Sequence, residues 1–235
     1  MTAPAGRRPP AAAVAALAAA VGLAALAVLV VSGALTRVDQ YAVDHWMPKL
    51  GKGDDDTAML SWGQLYPHLG SPLEAVCNLW TFPASPLVST LVLAAGCWTL
   101  ARRGRRDAAL AWAVAWVLAN AAEVLGKSVL TRPALRVAGG AYRGFDSSFP
   151  SGHALRAVLL AAFVATVWPR LTWPAVVWAA LVLPALVLNG AHTPSDVLGG
   201  ALLALVVVAA VDVWLGLRAG APAQGRLRAA VAEDG

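Results

Sequence analysis

The chain has 235 residues, of which 59% are hydrophobic and 13% charged, and carries a formal net charge of +5. A soluble domain of this length is nearer half apolar and a quarter charged; here the excess falls in long uncharged runs, which excludes an ordinary soluble enzyme and marks a membrane protein. The positive charge sits in arginine clusters at the ends of those runs, which fits membrane topology and anionic headgroups and gives no reason to invoke nucleic acid.

Residues 1–10 are polar and include Arg7 and Arg8. Residues 11–35 are uncharged and long enough to span, and too long for a typical signal-peptide core, so they read as a first transmembrane helix. Residues 36–73 hold Asp54-Asp55-Asp56 together with Gly and Pro, and amphipathic pieces such as 38–43. They read as a loop with short surface helices, and His45 and His68 within it as ordinary surface residues. Residues 72–100 are apolar but broken by Pro83 and Pro86. The first part suits the interface through Trp80 and Phe82, and a second span follows over 84–100.

A basic loop with Arg102, Arg103, Arg105 and Arg106 leads to a third span at 108–130. Near its end, Glu123 and Lys127 are four residues apart and can pair on one helix face. Charges inside a span are costly and usually mark a functional cavity. A polar loop at 131–151 carries Arg132, Arg136 and Arg143. The fourth span is read at 152–168 with Arg156 one turn inside, the fifth at 174–189 and the sixth at 195–217, before a polar tail at 218–235. Cys77 and Cys97 are the only cysteines. On one helix they would lie about 30 Å apart, too far to pair. No Cys/His/carboxylate spacing of the zinc kind occurs, so no metal site and no cofactor are expected.

The expected fold class is therefore all-α, a polytopic six-transmembrane helical bundle. Arg7/Arg8, Arg102–Arg106, Arg170 and Arg218/Arg226/Arg228 fall on one side of six spans, which puts both termini in the cytoplasm. Lys127, the start of span four, His192 and Asp196 then all lie at the extracytoplasmic face.

Two stretches carry chemistry. Phe149-Pro150-Ser151-Gly152-His153 stands where a polar loop enters an apolar run, as at a helix start. Unpaired N–H groups there can hold an anion. Ser151 adds a hydroxyl, Gly152 permits close backbone approach, and His153 can carry a proton near neutral pH. In His192-Thr193-Pro194-Ser195-Asp196, His192 and Asp196 are four apart and share a face on a helical turn. A carboxylate beside an imidazole fixes its tautomer. Thr193 to Asp196 also reads as a capping box with Pro at the first helical position. Taken singly, either stretch could be no more than a helix cap with an incidental histidine.

Pro150-Ser151-Gly152-His153 and His192-x-x-x-Asp196, preceded by Lys127 and Arg132-Pro133, resemble the type 2 phosphatidic acid phosphatase superfamily over roughly residues 85–215. Its members include membrane lipid phosphate phosphatases and soluble vanadium haloperoxidases. The resemblance implies a metal-independent phosphatase acting on a lipid phosphate: phosphatidate, a phosphatidylglycerol phosphate or a polyprenyl (di)phosphate. It implies His192 as the nucleophile that forms a phosphohistidine, Asp196 as its orienting partner and His153 as the proton donor to the leaving alcohol. Lys127 and Arg132 would clamp the phosphate, with Ser151 and the N–H groups near Gly152 completing the cradle.

The chain departs from the family pattern twice. Lys127 and Arg132-Pro133 are separated by four residues where the family has six, and Ala185 and Leu186 stand where the family's third motif has Ser-Arg. One or two cationic clamps are missing. Arg156 either reaches the phosphate from span four in place of the missing arginine, or snorkels to the interface, or pairs with Glu123 or Asp146. The departures leave a second class open: a catalytically weak relative that binds lipid phosphates or a membrane partner. The domain layout expected is a cytoplasmic N-terminus at 1–10, a six-helix membrane phosphatase domain at 11–217 and a cytoplasmic tail at 218–235.

Overall fold

A computed structural model describes residues 11–47, 72–137 and 140–233. Arg7, Arg8, Asp54–Asp56 and His68 lie outside the described residues. The chain runs α1 (Ala11–Val31), α2 (Thr36–Trp46), α3 (Pro72–Thr81), a 3-10 turn (Phe82–Ala84), α4 (Pro86–Arg102), α5 (Arg106–Val129), β1 (Leu135–Val137), β2 (Gly140–Tyr142), α6 (Gly152–Val167), a second 3-10 turn (Pro169–Leu171), α7 (Thr172–Leu188) and α8 (Pro194–Glu233). It is a helical membrane protein with one addition to the all-α expectation. Within the 131–151 loop, β1 and β2 form an antiparallel ribbon, Leu135 opposite Tyr142.

The helix that organises the rest is α6. Ten of its 16 residues are buried, against three of 21 in α1. Leu155, Leu159 and Phe163 pack against Trp112 and Trp116 of α5 and Ala204 and Val211 of α8. Trp112 meets Phe163 edge to face, with ring centroids 5.3 Å apart. Gly96 lets α4 come in on the same ring, since any Cβ there would overlap Phe163. Lipid is as apolar as leucine, so helix association in a bilayer rests on such close packing and on polar contacts between helices. Asn189 Nδ2 to Asn78 Oδ1 (3.3 Å) and Trp178 Nε1 to the Trp80 carbonyl (3.1 Å) tie α7 and the turn after it to α3 in this way. Outward, Val14, Leu17 and Val21 of α1 and Leu110, Val117 and Leu118 of α5 are exposed and available to lipid.

Four helical stretches are long and apolar enough to cross a membrane: Ala11–Val31, Arg106–Val129, Pro169–Leu188 and Pro194–Gly216. A fifth arises if Ala75–Ala84 and Pro86–Arg102, bent by 44°, form one broken span. The break falls at Pro83 and Pro86, where the missing N–H groups interrupt the helix ladder. At 16 residues, α6 spans about 24 Å, short of a hydrocarbon core of about 30 Å. Among the described residues the chain is thus multi-pass with four or five candidate spans rather than a demonstrated six. Its surroundings explain the short helix: α6 is walled in by α4, α5, α7 and α8. Beyond Gly216, α8 continues in helical form to Glu233, where a polar tail was expected.

Cys77 and Cys97 stand on different helices, α3 and α4, and both are free. The 36–73 segment contributes α2, which is more than a surface helix: Asp39, Ala42 and Val43 are buried on its inner face. His45 is exposed as expected, with Nδ1 2.9 Å from the Tyr41 carbonyl.

Candidate active site

The start of α6 and the start of α8 are built against each other. Ser151 is the N-cap of α6, its backbone extended and its Oγ accepting from the Ala154 N–H at 3.3 Å. The Ser151 N–H donates to the Asp196 carbonyl at 2.9 Å. Close approach depends on Gly199 and Gly200: a Cβ on either would overlap the Phe149 ring or the Ser151 carbonyl. These glycines sit three and four residues past Asp196, and the motif reading overlooked them.

His192 lies in the turn after α7. Gly190 takes φ 74°, a left-handed conformation that suits glycine, and the N–H groups of Ala191 and His192 both donate to the Leu186 carbonyl. Thr193 to Asp196 forms the expected capping box: the Thr193 N–H donates to Asp196 Oδ2 at 3.1 Å and the Asp196 N–H to Thr193 Oγ1 at 3.4 Å. His192 Nδ1 stands 3.8 Å from Asp196 Oδ2, on the expected face but beyond hydrogen-bond length. Among the described residues this buried Nδ1 has no hydrogen-bond partner. Asp196 Oδ2 is already held by Ser148 Oγ at 2.6 Å. Catalytic hydrogen bonds often lengthen in the free protein and tighten with substrate.

Behind this turn Arg132 and Asp39 are fully enclosed. Arg132 Nη2 lies 2.5 Å from Asp39 Oδ2, with side-chain exposures of 2% and 0%. Arg132 Nη1 donates to Thr193 Oγ1 (2.9 Å), Ser195 Oγ (3.2 Å) and Asp196 Oδ1 (3.4 Å). The other Asp39 contacts are the Ser195 N–H on Oδ1 (3.1 Å) and Ser195 Oγ on Oδ2 (2.7 Å). The guanidinium expected to clamp a phosphate is engaged inside the protein. Its partner Asp39 was invisible to spacing arguments, because it is 93 residues away and sits on an amphipathic helix beside the equally plausible Asp44.

A second charged knot sits at the other edge of the α6 start. Glu123 Oε1 is 2.5 Å from Lys127 Nζ, the pair expected from their spacing, and Oε2 is 3.2 Å from Arg156 Nη1. Arg156 also donates from Nε to the Ala84 carbonyl (2.8 Å) and from Nη1 to Asn120 Oδ1 (3.1 Å). Of the alternatives for Arg156, pairing with Glu123 is the one seen. The Glu123 carboxylate also lies directly against Gly152, where a Cβ would collide with it. The lack of a side chain at Gly152 thus leaves room for the Glu123 carboxylate beside the helix start. Lys127 keeps 34% of its side chain exposed, whereas Glu123 keeps 7%. His153 is the next residue along α6, in its first turn and three residues before Arg156.

The structure therefore gathers Lys127, Ser151, Gly152, His153, Arg156, His192 and Asp196 around the facing starts of α6 and α8, with Arg132 behind. Among the described residues, no group of three or more His, Cys, Asp or Glu side chains could hold a metal ion. The opposite end of the bundle is basic: Arg103 Nη1 donates to the Val167 carbonyl (2.6 Å) and Arg105 Nη1 to that of Thr166 (3.3 Å), at the far end of α6.

The family model of the PAP2 superfamily, the type 2 phosphatidic acid phosphatases, matches residues 108–218. The chain is similar in fold to a solved structure described as the crystal structure of the first transmembrane PAP2 type phosphatidylglycerolphosphate phosphatase from Bacillus subtilis. The TM-score is 0.56 at 20% identity, over 85% of this chain and 94% of that one. No curated protein matches the chain.

Proposed function

We propose, from the match of residues 108–218 to the PAP2 superfamily model, that the protein is a membrane lipid phosphate phosphatase working through a phosphohistidine, without a metal. The observation that carries the proposal is the closure of the α6 start on the α8 start: the Ser151 N–H donates to the Asp196 carbonyl at 2.9 Å, so the turn that carries His153 stands beside the one that holds His192 against Asp196. Nδ1 of His192 faces Asp196, which leaves Nε2 as the nucleophile. Nε2 attacks phosphorus, the ester P–O bond breaks, and His153 delivers a proton to the leaving alkoxide. Water then attacks the phosphohistidine, His153 takes up its proton, and inorganic phosphate leaves. Lys127 supplies positive charge near the attacked phosphate, and the N–H groups at the α6 start oppose the negative charge that develops on its oxygens. The phosphate has to displace Glu123 from Lys127 to occupy that place, which frees Lys127 and keeps Arg156 as the counter-ion of Glu123. Arg132 acts from behind, as the support of the His192 turn.

A lipid substrate is supported by a groove of about 270 Å³ between α1, α5 and α8. Ala24 and Ala27 of α1, Leu203 of α8, Gly126 of α5 and Phe149 and Pro150 before α6 line it. Gly126 adjoins Lys127 and Pro150 adjoins Ser151, so an apolar chain in the groove brings its phosphate end to the site. Filling the groove with Ala24→Trp is expected to raise KM for long-chain lipid phosphates about tenfold, a change of about 1.4 kcal/mol, and to spare a short-chain analogue. Equal effects on both chain lengths would show that the groove does not hold the chain.

The layout proposed is six spans, with α6 as a short enclosed fourth, a membrane domain over 11–217 and both termini cytoplasmic. The support is the position of the Arg102–Arg106 loop at the opposite end of α6 from the site, together with the positive-inside rule. Ala141 on β2 is exposed. In a background lacking Cys77 and Cys97, Ala141→Cys is expected to react with an impermeant thiol reagent on intact cells. Labelling only after lysis would reverse the orientation.

One observation favours a second reading, a binding protein for lipid phosphates with little turnover. Both remaining arginines near the site are matched by buried carboxylates, Arg132 by Asp39 and Arg156 by Glu123. Phosphate release from a panel of lipid phosphates by the purified protein separates the two readings. Release supports the phosphatase, whereas tight binding without release supports the weaker relative.

A further inference from the structure

We infer that Asp39, on the helix that follows the first span and outside the family match, is a positioning residue for His192 and acts through Arg132 and the α8 start. The inference rests on the phosphatase reading for its kinetic consequence and on geometry alone for its structural one. Asp39 is wholly buried, and every contact recorded for its carboxylate goes to the turn that carries His192 or to the arginine supporting that turn. Its Oδ1 takes the Ser195 N–H, one of the unpaired donors of the first turn of α8, and its Oδ2 takes the Ser195 hydroxyl. Ser195 is flanked by Pro194 and Asp196, so these contacts fix the backbone that sets both His192 and its carboxylate partner.

The charges add a second route. Asp39 holds Arg132 Nη2 at 2.5 Å, while Nη1 reaches Asp196 Oδ1 only at 3.4 Å, the longest of its contacts. The guanidinium is thus shared unequally between two carboxylates, and Asp39 takes the closer part. This leaves Asp196 Oδ2 turned toward His192. With a neutral side chain at 39, the whole guanidinium charge falls on Asp196. The carboxylate then swings toward Arg132, which widens its 3.8 Å gap to the imidazole and keeps it from closing on Nδ1 when substrate binds. Asp39 lies behind the turn and does not touch the phosphate, so the effect belongs to the phosphoryl-transfer step rather than to substrate capture.

The test is Asp39→Asn in the full-length protein in detergent micelles, read in two ways. Kinetically, kcat and trapped phosphoenzyme from a lipid phosphate are expected to fall about 10- to 100-fold with KM within about twofold, as for a small displacement of a reacting group. Asp39→Glu, which keeps the charge, should recover part of kcat. A second substitution, Arg132→Gln in the Asp39→Asn protein, should cost little more, because both act along one route. Structurally, 15N-histidine spectra should show the His192 signal moved by Asp39→Asn while His45, outside the knot, stays in place. A wild-type kcat together with an unmoved His192 signal would overturn the inference, as would a loss confined to KM. If the wild type releases no phosphate but Asp39→Asn still moves the His192 signal, the phosphatase reading fails and the positioning role stands. Should Asp39→Asn prove poorly folded, the recovery by Asp39→Glu and its His192 signal decide the matter: a wild-type signal without recovered kcat counts against the inference.

Discussion

His192→Ala is expected to abolish phosphate release and the trapping of labelled phosphate on the protein, a loss of about 10⁴-fold or more, as when the nucleophile of a covalent mechanism is removed. The imidazole is the only side chain in the proposed mechanism that bonds to phosphorus, and alanine leaves no nucleophile to displace the alcohol. His153→Ala should behave differently. It removes the proton donor to the leaving alkoxide, so release from an alkyl phosphate should fall by about 10²–10⁴-fold. A substrate with an activated leaving group needs no such proton and should still phosphorylate His192. The contrast follows from placement, since His192 stands in the α7–α8 turn beside Asp196 and His153 stands in the first turn of α6. Undiminished turnover by the His192 variant would remove the mechanism.

The second large effect is on stability. Arg132→Met is expected to destabilise the protein by about 3–5 kcal/mol, because it leaves two fully buried carboxylates, Asp39 and Asp196, without their counter-charge. Ser195 and Thr193 would also lose the donor that joins their hydroxyls. Thermal unfolding in detergent reads this directly as a marked drop in Tm. A phosphate clamp behaves otherwise: its removal raises KM and leaves the melting temperature alone. An unchanged Tm with a raised KM would therefore restore the clamp role and contradict the supporting one.

Much of this protein was legible in its sequence, and the reasons are local. The apolar helices announce themselves by uncharged runs and start within a few residues of where they were expected, although only four or five of them qualify as spans and α8 runs on to Glu233. The capping box at Thr193–Asp196 and the helix start after Pro150 follow from short-range backbone chemistry, so they could be read from spacing and were found in place. The Glu123–Lys127 pair is likewise a matter of helical spacing.

Long-range pairing was not legible. Asp39 reaches Arg132 across 93 residues, and nothing in α2 distinguishes it from Asp44 before the chain is folded. The partner of Arg156 was one of three alternatives, and the choice depended on α5 and α6 lying side by side. Nor could sequence say that the Glu123 carboxylate would pack directly against Gly152. Strands as short as Leu135–Val137 and Gly140–Tyr142 carry too few residues for an alternating pattern to show. The brevity of α6 is a tertiary effect, tolerated because neighbouring helices enclose it.

The central claim is tested most directly by phosphate release from purified, chelator-treated wild-type protein in mixed micelles. The substrates are phosphatidate, a phosphatidylglycerol phosphate and a polyprenyl diphosphate, and His192→Ala is the parallel control. The account predicts release from at least one of these lipids, undiminished by the chelator and absent from the variant. Release that disappears with the chelator, or that the His192 variant retains, would contradict it.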